Sequence, residues 1–341
     1  MKTILITGST GFLGKHLVDE LLASEPDARL RLLCRGDGPG IESERIEIVQ
    51  GDILDRAAVE RAVEGVDEIY HLAGLVERTP ADPWRMFNVH VEGTRNVCEA
   101  MRANPHVKAV FASTSGVCAV GREPAELDET APYAQDVVWD WPYYTSKMYA
   151  EKLALWYVQH RKLNIVHVNP SLLLGPGDDR RSSTRDVEMF LEGQIKLIPL
   201  GGLNLVDVRD VARGCVLAMQ KGGTGQRYLL GGANMTFYEW IRRASKISGV
   251  RAPRMMAPLW VSLWGARVLR KVMPWFGKRF DLTTQASVCR RFTGTATRRR
   301  RAANWASPHA ILTRRFATPS STCGPRRAPE ERAWRSPSLR S

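Results

Sequence analysis

Two residues four positions apart could carry out acid–base chemistry. Tyr143 and Lys147 lie in the segment YYTSK. On a helix their side chains share one face, so the lysine ammonium lies near the phenol. A free phenol has a pKa of about 10 and is a poor acid or base at neutral pH, but a neighbouring cation stabilises the phenolate and lowers that pKa. The same spacing also fits an exposed helical pair without a catalytic role.

A run of hydroxyl side chains precedes this pair. Ser113, Thr114 and Ser115 stand at the end of an apolar segment, 107–113, that reads as a β-strand. At the carboxyl end of a parallel strand, side chains face the crevice in which ligands bind. The hydroxyls and the Tyr143–Lys147 pair together predict a site for proton transfer.

Three glycines follow the first predicted strand. Gly8, Gly11 and Gly14 have the spacing GxxGxxG between a strand at 2–7 and a helix at 12–23. Glycines let the backbone approach a pyrophosphate, which a helix amino terminus attracts through its free N–H groups and dipole. The sequence therefore predicts a dinucleotide site, and a tight turn without a ligand is the alternative.

Arg35 follows the second predicted strand, 30–34. A carboxylate at that place would bind the ribose 2′-hydroxyl of NAD, whereas an arginine suits the 2′-phosphate of NADP. The sequence thus favours NADP and leaves NAD open, and a solvated loop arginine is the alternative. Asp52 follows the third strand, 46–50, where it either lies near the adenine or caps the next helix.

Strands and helices alternate in the first half of the chain. The predicted strands are 2–7, 30–34, 46–50, 68–73, 107–113 and 164–169, and the predicted helices are 12–23, 56–63, 86–101 and 143–160. Helices of this size between strands imply right-handed crossovers and a parallel sheet. The sequence therefore predicts an α/β protein whose pattern loosens into a smaller lobe after residue 170.

The charge of the chain is unevenly distributed. The formal net charge is +13, of which residues 289–341 carry +11 through thirteen arginines and two acids. The nearly neutral body argues against a nucleic-acid partner. The six cysteines form no CxxC pair, which predicts reduced thiols and a cytoplasmic location.

Residues 258–276 are the most membrane-like segment. Arg267, Arg270 and Lys271 interrupt this tryptophan-rich stretch, so we expect no transmembrane span. A helix over the substrate cleft is the favoured interpretation, and weak contact with a membrane surface is the alternative.

Eight short motifs are distributed over residues 1–250. They are TGSTGFLG at 7–14, GDILD at 51–55, HLAG at 71–74, NVHVEGTRNV at 88–97, STSG at 113–116, YYTSKMYAE at 143–151, NPSLLLGPGD at 169–178 and VDVRDVA at 206–212. The combination resembles the extended short-chain dehydrogenases/reductases of the NAD-dependent epimerase/dehydratase type. With GGxN at 231–234, it is most similar to dihydroflavonol-reductase-like members.

The resemblance implies a fold and a domain organisation. We expect a Rossmann-type, doubly wound parallel sheet in an NAD(P)-binding domain at 1–170, to which 204–232 partly returns. A smaller C-terminal substrate lobe at 171–284 and a disordered basic tail at 285–341 follow. The partner is a small-molecule substrate, and a homodimer is left open.

The resemblance also implies the roles of the site residues. The implied catalytic residues are Tyr143 as general acid/base, Lys147 as its partner, Thr114 as the substrate-orienting hydroxyl with Ser115 and Ser113 as competitors, and Asn88 as a supporting residue. The implied cofactor-binding residues are Gly8, Thr10, Gly11, Phe12, Leu13, Gly14, Arg35, Asp52, Ile53, Leu72, Ala73, Tyr143, Lys147, and Pro170 and Ser171 flanking the nicotinamide.

The resemblance implies hydride chemistry at a carbonyl or carbinol carbon. Sugar dehydratases of the superfamily usually place acids just after the catalytic hydroxyl, where this chain has Ser115 and Gly116. Dehydration is therefore disfavoured, and an oxidoreductase that reduces a carbonyl or oxidises a hydroxyl of a small molecule is expected, with a nucleotide-sugar epimerase as the alternative. A dinucleotide-sensing regulator is the non-enzymatic alternative, but a sensor needs no acid–base pair.

The tail differs in character from the body. The resemblance fades after about Leu282, and four arginines follow one another at 298–301. Reading the codons of Asn304, Trp305 and Ala306 one base earlier forces Leu-Gly. Permitted codons across 303–324 extend this to ELGFTPRDPHETLRDTVEYLR, which resembles a family ending. We therefore expect a frameshift, and a basic nucleic-acid-binding arm is the alternative.

The frameshift is tested by the nucleotide sequence of codons 284–304, determined again from the source. We expect one single-base change there to open the family-like ending. A chain with that ending should have a higher unfolding free energy, because an amphipathic helix would cover apolar surface at about 25 cal/mol per Å². If no single-base change opens it, the frameshift is excluded, and salt-dependent nucleic-acid binding tests the arm.

Overall fold

The computed structural model describes residues 1–77, 82–104, 106–121, 125–198, 200–256 and 294–296. Within these ranges the strands are β1 (Thr3–Thr7), β2 (Arg29–Cys34), β3 (Ile46–Gln50), β4 (Glu68–His71), β5 (Lys108–Ala112), β6 (Ala125–Leu127), β7 (Asn164–Pro170), β8 (Leu172–Leu174), β9 (Gly202–Asp207), β10 (Arg227–Leu230), β11 (Ala233–Thr236) and β12 (Gly294–Ala296). The helices are α1 (Phe12–Ser24), α2 (Arg56–Val63), α3 (Pro83–Met101), α4 (Gln135–Val138), α5 (Pro142–Arg161), α6 (Arg185–Leu191), α7 (Val208–Lys221) and α8 (Phe237–Ser248), with a 3₁₀ turn at Ser115–Val117.

A parallel sheet of seven strands in the order β10-β7-β5-β4-β1-β2-β3 organises the first 230 residues. The strand order reverses between β1 and β4, which are neighbours in the sheet although β2 and β3 separate them in sequence. A crevice opens at the carboxyl ends of the strands where such a reversal occurs. The glycine turn after β1 therefore lies at the place where open α/β sheets bind ligands.

Helices cover both faces of this sheet. One face packs against α1 and α7, through residues such as Leu17, Leu21 and Val211, and the other packs against α2, α3 and α5, through residues such as Val59, Val97 and Ala154. Burial of each large aliphatic side chain contributes about 1.5–3 kcal/mol. Apolar strands buried on both sides are typical of all-parallel sheets.

Side chains determine where several helices begin. The Asp55 carboxylate accepts hydrogen bonds from the first free amides of α2, Asp82 does so for α3, and Asp207 does so for α7. Thr236 and Glu239 form a reciprocal capping box at α8.

A second, smaller sheet lies beyond the end of β7. Its strands are β11-β9-β8, with β8 and β9 parallel and β11 antiparallel to β9. Phe190 of α6 and Ile241 of α8 form a separate apolar cluster with Ile198. The chain leaves the main sheet for this lobe and returns through α7 and β10.

The predicted fold class is confirmed: the main sheet is parallel and doubly wound. Two boundaries differ by more than one residue, for local reasons. Helix α3 begins at Pro83 rather than 86, because the Asp82 side chain caps it and proline fits the first helical turn. Strand β4 ends at His71 rather than 73, because the Ala73 amide bonds to the Thr7 hydroxyl oxygen instead of a neighbouring strand.

Most of the tail lies outside the described residues, and so does the segment 258–276. The expectations of a disordered tail, a helix over the cleft and contact with a membrane surface fall on those residues. The tail contributes β12, which pairs in parallel with β6. Among the helices that the structure describes, none is both long and apolar enough to cross a bilayer.

Candidate active site

Helix α5 carries the predicted acid–base pair over the end of β5. Pro142 occupies its first turn, and Tyr143, Lys147 and Glu151 follow at intervals of four residues along one face. The Lys147 side chain is buried, and its ammonium donates a 2.9 Å hydrogen bond to the carbonyl oxygen of Ala112, the last residue of β5. Burial lowers the pKa of Lys147 to about 8, and the nearby Glu151 carboxylate partly opposes this.

Tyr143 is bonded to one of the three candidate hydroxyls. Its phenol oxygen forms a hydrogen bond with the Thr114 side chain. The Thr114 oxygen also accepts a 3.3 Å bond from the amide of Gly116, which leaves its O–H free to point at Tyr143. The expectation that Lys147 lowers the pKa of Tyr143 is wrong: burial raises this pKa to about 12, and the Thr114 bond only partly opposes the rise. The phenol is therefore protonated at neutral pH.

The two competing serines have other positions. Ser115 opens the 3₁₀ turn, and its carbonyl oxygen accepts the amides of Cys118 and Ala119. Ser113 is buried, and its hydroxyl has no hydrogen-bond partner among the described residues.

The prediction for Asn88 needs a correction. Asn88 lies on the exposed side of α3, whereas His90 is buried, with its ring centroid 5.8 Å from that of Tyr143. Side chains two positions apart on a helix point about 200° away from each other, so only one of Asn88 and His90 can face the site. The helical spacing of the buried Met86, His90 and Val97 is the sequence signal that would have identified this histidine.

His90 joins three segments around the site. Its Nε2 accepts a 3.1 Å bond from the amide of Leu75, so the proton of the neutral ring is on Nδ1 and is donated to Ser146 Oγ at 2.8 Å. The Ser146 hydroxyl in turn donates to the carbonyl oxygen of Tyr143 at 3.0 Å. Burial and the Lys147 charge hold the pKa of His90 well below that of a free histidine.

The glycine turn is closely packed against the loop after β4. Gly8 has a φ of +78°, and a Cβ on it would lie 2.7 Å from the amide nitrogen of Ala73. A Cβ on Gly14 would lie 2.1 Å from the carbonyl oxygen of Gly8. The turn itself therefore requires these two glycines. Gly11 is the residue before α1, and Thr10, Phe12 and Leu13 beside it are half-buried.

Several polar groups near this turn fit a dinucleotide. No described side chain caps α1 and its first turn has no acidic residue, so its amide groups are available to a pyrophosphate. Ser171, which follows Pro170 at the end of β7, is buried, and its hydroxyl, like that of Ser113, has no partner among the described residues. Buried hydroxyls normally have partners, and a nicotinamide amide would supply them.

The residues predicted to contact the adenosine half are distributed along the edges of β1 to β3. Arg35 is exposed, and its guanidinium lies 3.9 Å from the Asp52 carboxylate. The capping alternative for Asp52 is wrong, because Asp55 caps α2 while Asp52 accepts the amide of Leu54. Ile53 is buried against Gly93 of α3.

A comparison with protein families gives one matching family model. Residues 4–231 match the model described as "NAD dependent epimerase/dehydratase family". The matched range includes the glycine turn, Thr114, Tyr143 and Lys147.

Individual relatives agree with that match. A putative dihydroflavonol 4-reductase from Synechocystis sp. is 31% identical over 278 residues, covering 80% of each chain. The crystal structure of gox2253 has a TM-score of 0.77 at 27% identity and covers 89% of this chain and 92% of that one. A Thermus thermophilus UDP-glucose 4-epimerase solved with NAD has a TM-score of 0.62 at 25% identity, covering 85% and 98%.

We expect the His90→Phe substitution to lower the unfolding free energy by about 1–3 kcal/mol, because the Leu75 amide and Ser146 lose their buried partner. His90→Asn, which keeps one acceptor and one donor, should lose less. Asn88→Ala on the exposed side of α3 is the control and should change stability by less than about 0.5 kcal/mol. Urea unfolding measures all three, and equal losses for His90→Phe and Asn88→Ala would contradict the assignment.

The same variants measure how much His90 contributes to the pH dependence of stability. The depressed pKa of His90 means that the unfolded chain binds the proton first as the pH falls below about 6.5. Stability from the neutral ring is therefore present above that pH and lost below it. The His90→Asn protein should lose stability less steeply between pH 6.5 and 4.5 than the wild type.

Proposed function

Because the chain belongs to the NAD-dependent epimerase/dehydratase family of enzymes, we propose that it is a reductase that adds hydride to the carbonyl carbon of a small molecule. Tyr143 is the proposed general acid, and Lys147 and Thr114 are its partners. The observation that carries the proposal is the geometry around Tyr143: its phenol is hydrogen-bonded to the Thr114 side chain, and Lys147, buried over the end of β5, lies one turn further along the same helix.

Each site residue has a separate role in the proposed reaction. A bound nicotinamide dinucleotide supplies the hydride. Tyr143 gives its proton to the oxygen on which negative charge develops, and the Thr114 hydroxyl stabilises the phenolate that remains. Lys147, one turn further along α5 and charged below about pH 8, would add positive potential to the site. The buried hydroxyls of Ser113 and Ser171, which have no partner among the described residues, would hold the nicotinamide.

The surroundings of Gly116 favour reduction over dehydration. A Cβ at this position would lie 2.1 Å from the Tyr144 ring, so a side chain fits there only if that ring moves. An acid at position 116, of the kind that dehydratases place after the catalytic hydroxyl, would therefore displace Tyr144. A nucleotide-sugar epimerase is the second candidate, supported by the fold shared with the T. thermophilus epimerase. Conversion of UDP- or dTDP-sugars with no net consumption of NADPH would favour it.

We propose NADP as the preferred cofactor, with NAD as the alternative. Arg35 is exposed at the end of β2, where its guanidinium can bind a 2′-phosphate with two parallel hydrogen bonds. Asp52 lies 3.9 Å away, close enough to orient the guanidinium but beyond a direct hydrogen bond.

The Tyr143→Phe substitution removes the proton donor and keeps the ring. We expect turnover in a panel of aldehydes and ketones with NADPH to fall by about 10²–10⁴-fold, with cofactor affinity unchanged within a few-fold. Tyr149→Phe, on an exposed side of the same helix, is the matched control and should retain full turnover. Normal turnover in Tyr143→Phe would overturn the assignment of the acid.

The Arg35→Ala substitution should weaken NADPH binding by about 10–100-fold, the loss expected for charge-assisted hydrogen bonds, and change NADH binding much less. Arg56→Ala, which removes an exposed arginine paired with Glu60, is the control. Fluorescence titration of both cofactors measures the effect. An equal loss for NADPH and NADH would contradict the proposed preference.

A further inference from the structure

A buried ion pair lies behind the catalytic helix. Glu151, two turns after Tyr143 on α5, is almost fully buried, and its Oε1 is 2.9 Å from Nε of Arg227 at the start of β10. Two charges removed from water are retained only with excellent geometry and further hydrogen bonds. None of the reaction steps above uses this pair, so its position needs a separate explanation.

Further contacts fix both partners of the pair. The Tyr133 hydroxyl donates to Glu151 Oε1 at 3.1 Å. The Arg227 guanidinium lies 4.6 Å above the Tyr133 ring and donates to the carbonyl oxygen of Ala131 at 3.3 Å. Arg227 and Tyr133, both outside α5, thus bind Oε1 of Glu151. Because they fix the orientation of the carboxylate, they also fix the direction of its second oxygen, Oε2.

The second carboxylate oxygen leads to the active site. Asn169 of β7 is fully buried, and its amide nitrogen donates to Glu151 Oε2 at 2.9 Å and to the backbone carbonyl oxygen of Thr114 at 3.1 Å. Thr114 belongs to the turn after β5 and bonds to the Tyr143 phenol through its side chain. A continuous chain of contacts therefore runs from the ion pair to the reacting hydroxyl.

We propose that Glu151 and Asn169 are positioning residues, in which the carboxylate fixed by Arg227 orients the Asn169 amide, and this amide holds Thr114 where its hydroxyl meets Tyr143. The inference rests on the proposed role of Tyr143 and Thr114 in the reaction. Neither positioning residue touches the reacting atoms. A displacement of about 1 Å at a reacting group can cost two orders of magnitude in rate, so the turn has to be held accurately.

Glu151 has a second effect, on the charge of Lys147. The carboxylate raises the pKa of Lys147 against the lowering by burial. The other titratable groups around the two residues include Arg227 on β10, Glu129 on the loop after β6, Cys118 after the 3₁₀ turn, Tyr133, His167 on β7, His71 on β4 and His90 on α3. Burial lowers the pKa of all three histidines, so they are neutral at the pH of the assay.

The test uses the full chain and three variants of the relay, the chain of contacts that runs from Arg227 through Glu151 and Asn169 to Thr114. Asn169→Leu keeps the volume and removes the amide donor. Glu151→Gln removes the charge, and Arg227→Gln removes the partner while the Glu151 charge stays. Tyr157→Phe is the matched control. It deletes the partly buried hydrogen bond from the Tyr157 hydroxyl on α5 to Glu99 on α3 and leaves the relay unchanged.

Amide hydrogen exchange tests the positioning without a substrate. In Asn169→Leu, amides of residues 113–119 should exchange at least about 10-fold faster, while those of α3 and β1 are unchanged. In Tyr157→Phe, the 113–119 segment should exchange as in the wild type. Equal exchange of this segment in Asn169→Leu and the wild type would overturn the proposal.

Kinetics with NADPH and the best aldehyde or ketone from the panel supply the second readout. Asn169→Leu should lower kcat at least about 10-fold with the KM for NADPH unchanged within a few-fold, and Tyr157→Phe should lower neither. A kcat for Asn169→Leu equal to that of Tyr157→Phe would overturn the proposal. If the wild type reduces no carbonyl compound, the proposed function fails, and the exchange measurement alone decides the relay.

The pH profile of kcat/KM tests whether the negative charge of Glu151 acts on Lys147, apart from the positioning of Thr114. Without the Glu151 carboxylate, Lys147 loses its proton at a lower pH, so the alkaline fall of kcat/KM should move to lower pH in Glu151→Gln. In Arg227→Gln the carboxylate stays, and no such movement is expected. The same movement in both variants would contradict the role of the charge.

Discussion

Lys147 carries its ammonium into the interior between α5 and the carboxyl end of β5, and the neighbouring groups are arranged around that buried charge. The carbonyl oxygen of Ala112 accepts one of its protons, and the Glu151 carboxylate one turn further along α5 opposes the cost of burial. An ammonium without such compensation would lose its proton. The position of α5 over the sheet, and with it the position of Tyr143, therefore depends on this charge.

Burial and the Lys147 charge together keep two neighbouring histidines neutral. Desolvation is the larger cause for both His71 and His90, the Lys147 ammonium adds to it, and the pKa of His71 is lowered to about 3. The neutral rings then act as fixed connectors: His71 joins Thr7 to Thr94, and His90 joins Leu75 to Ser146. A Cβ on Gly74 would lie 2.9 Å from His90 and 3.3 Å from the Lys147 ammonium, so a side chain at position 74 would displace one of these groups.

The extent to which sequence predicts this molecule follows from the range of the interactions. Strand and helix patterns are local, and helix α2 and strand β3 have the bounds that their periodicity predicted. The error of two residues at Asn88 arose because the motif was used without the helical face on which His90 falls. The Glu151–Arg227 pair joins residues 76 positions apart on different elements, so no local pattern indicates it. Which of the three adjacent hydroxyls, Ser113, Thr114 or Ser115, meets Tyr143 depends on the geometry of the turn after β5. The sequence of three hydroxyl residues does not specify that geometry.

Transfer of the hydride itself is the most direct test of the account. The enzyme would be incubated with NADPH deuterated at the reactive C4 position and a carbonyl substrate, and the product analysed by mass spectrometry and NMR. The account predicts one deuterium on the carbinol carbon, one solvent-derived proton on its oxygen and one equivalent of oxidised cofactor. An inverted sugar centre with the cofactor unchanged at the end, or deuterium that never reaches the substrate carbon, would contradict it.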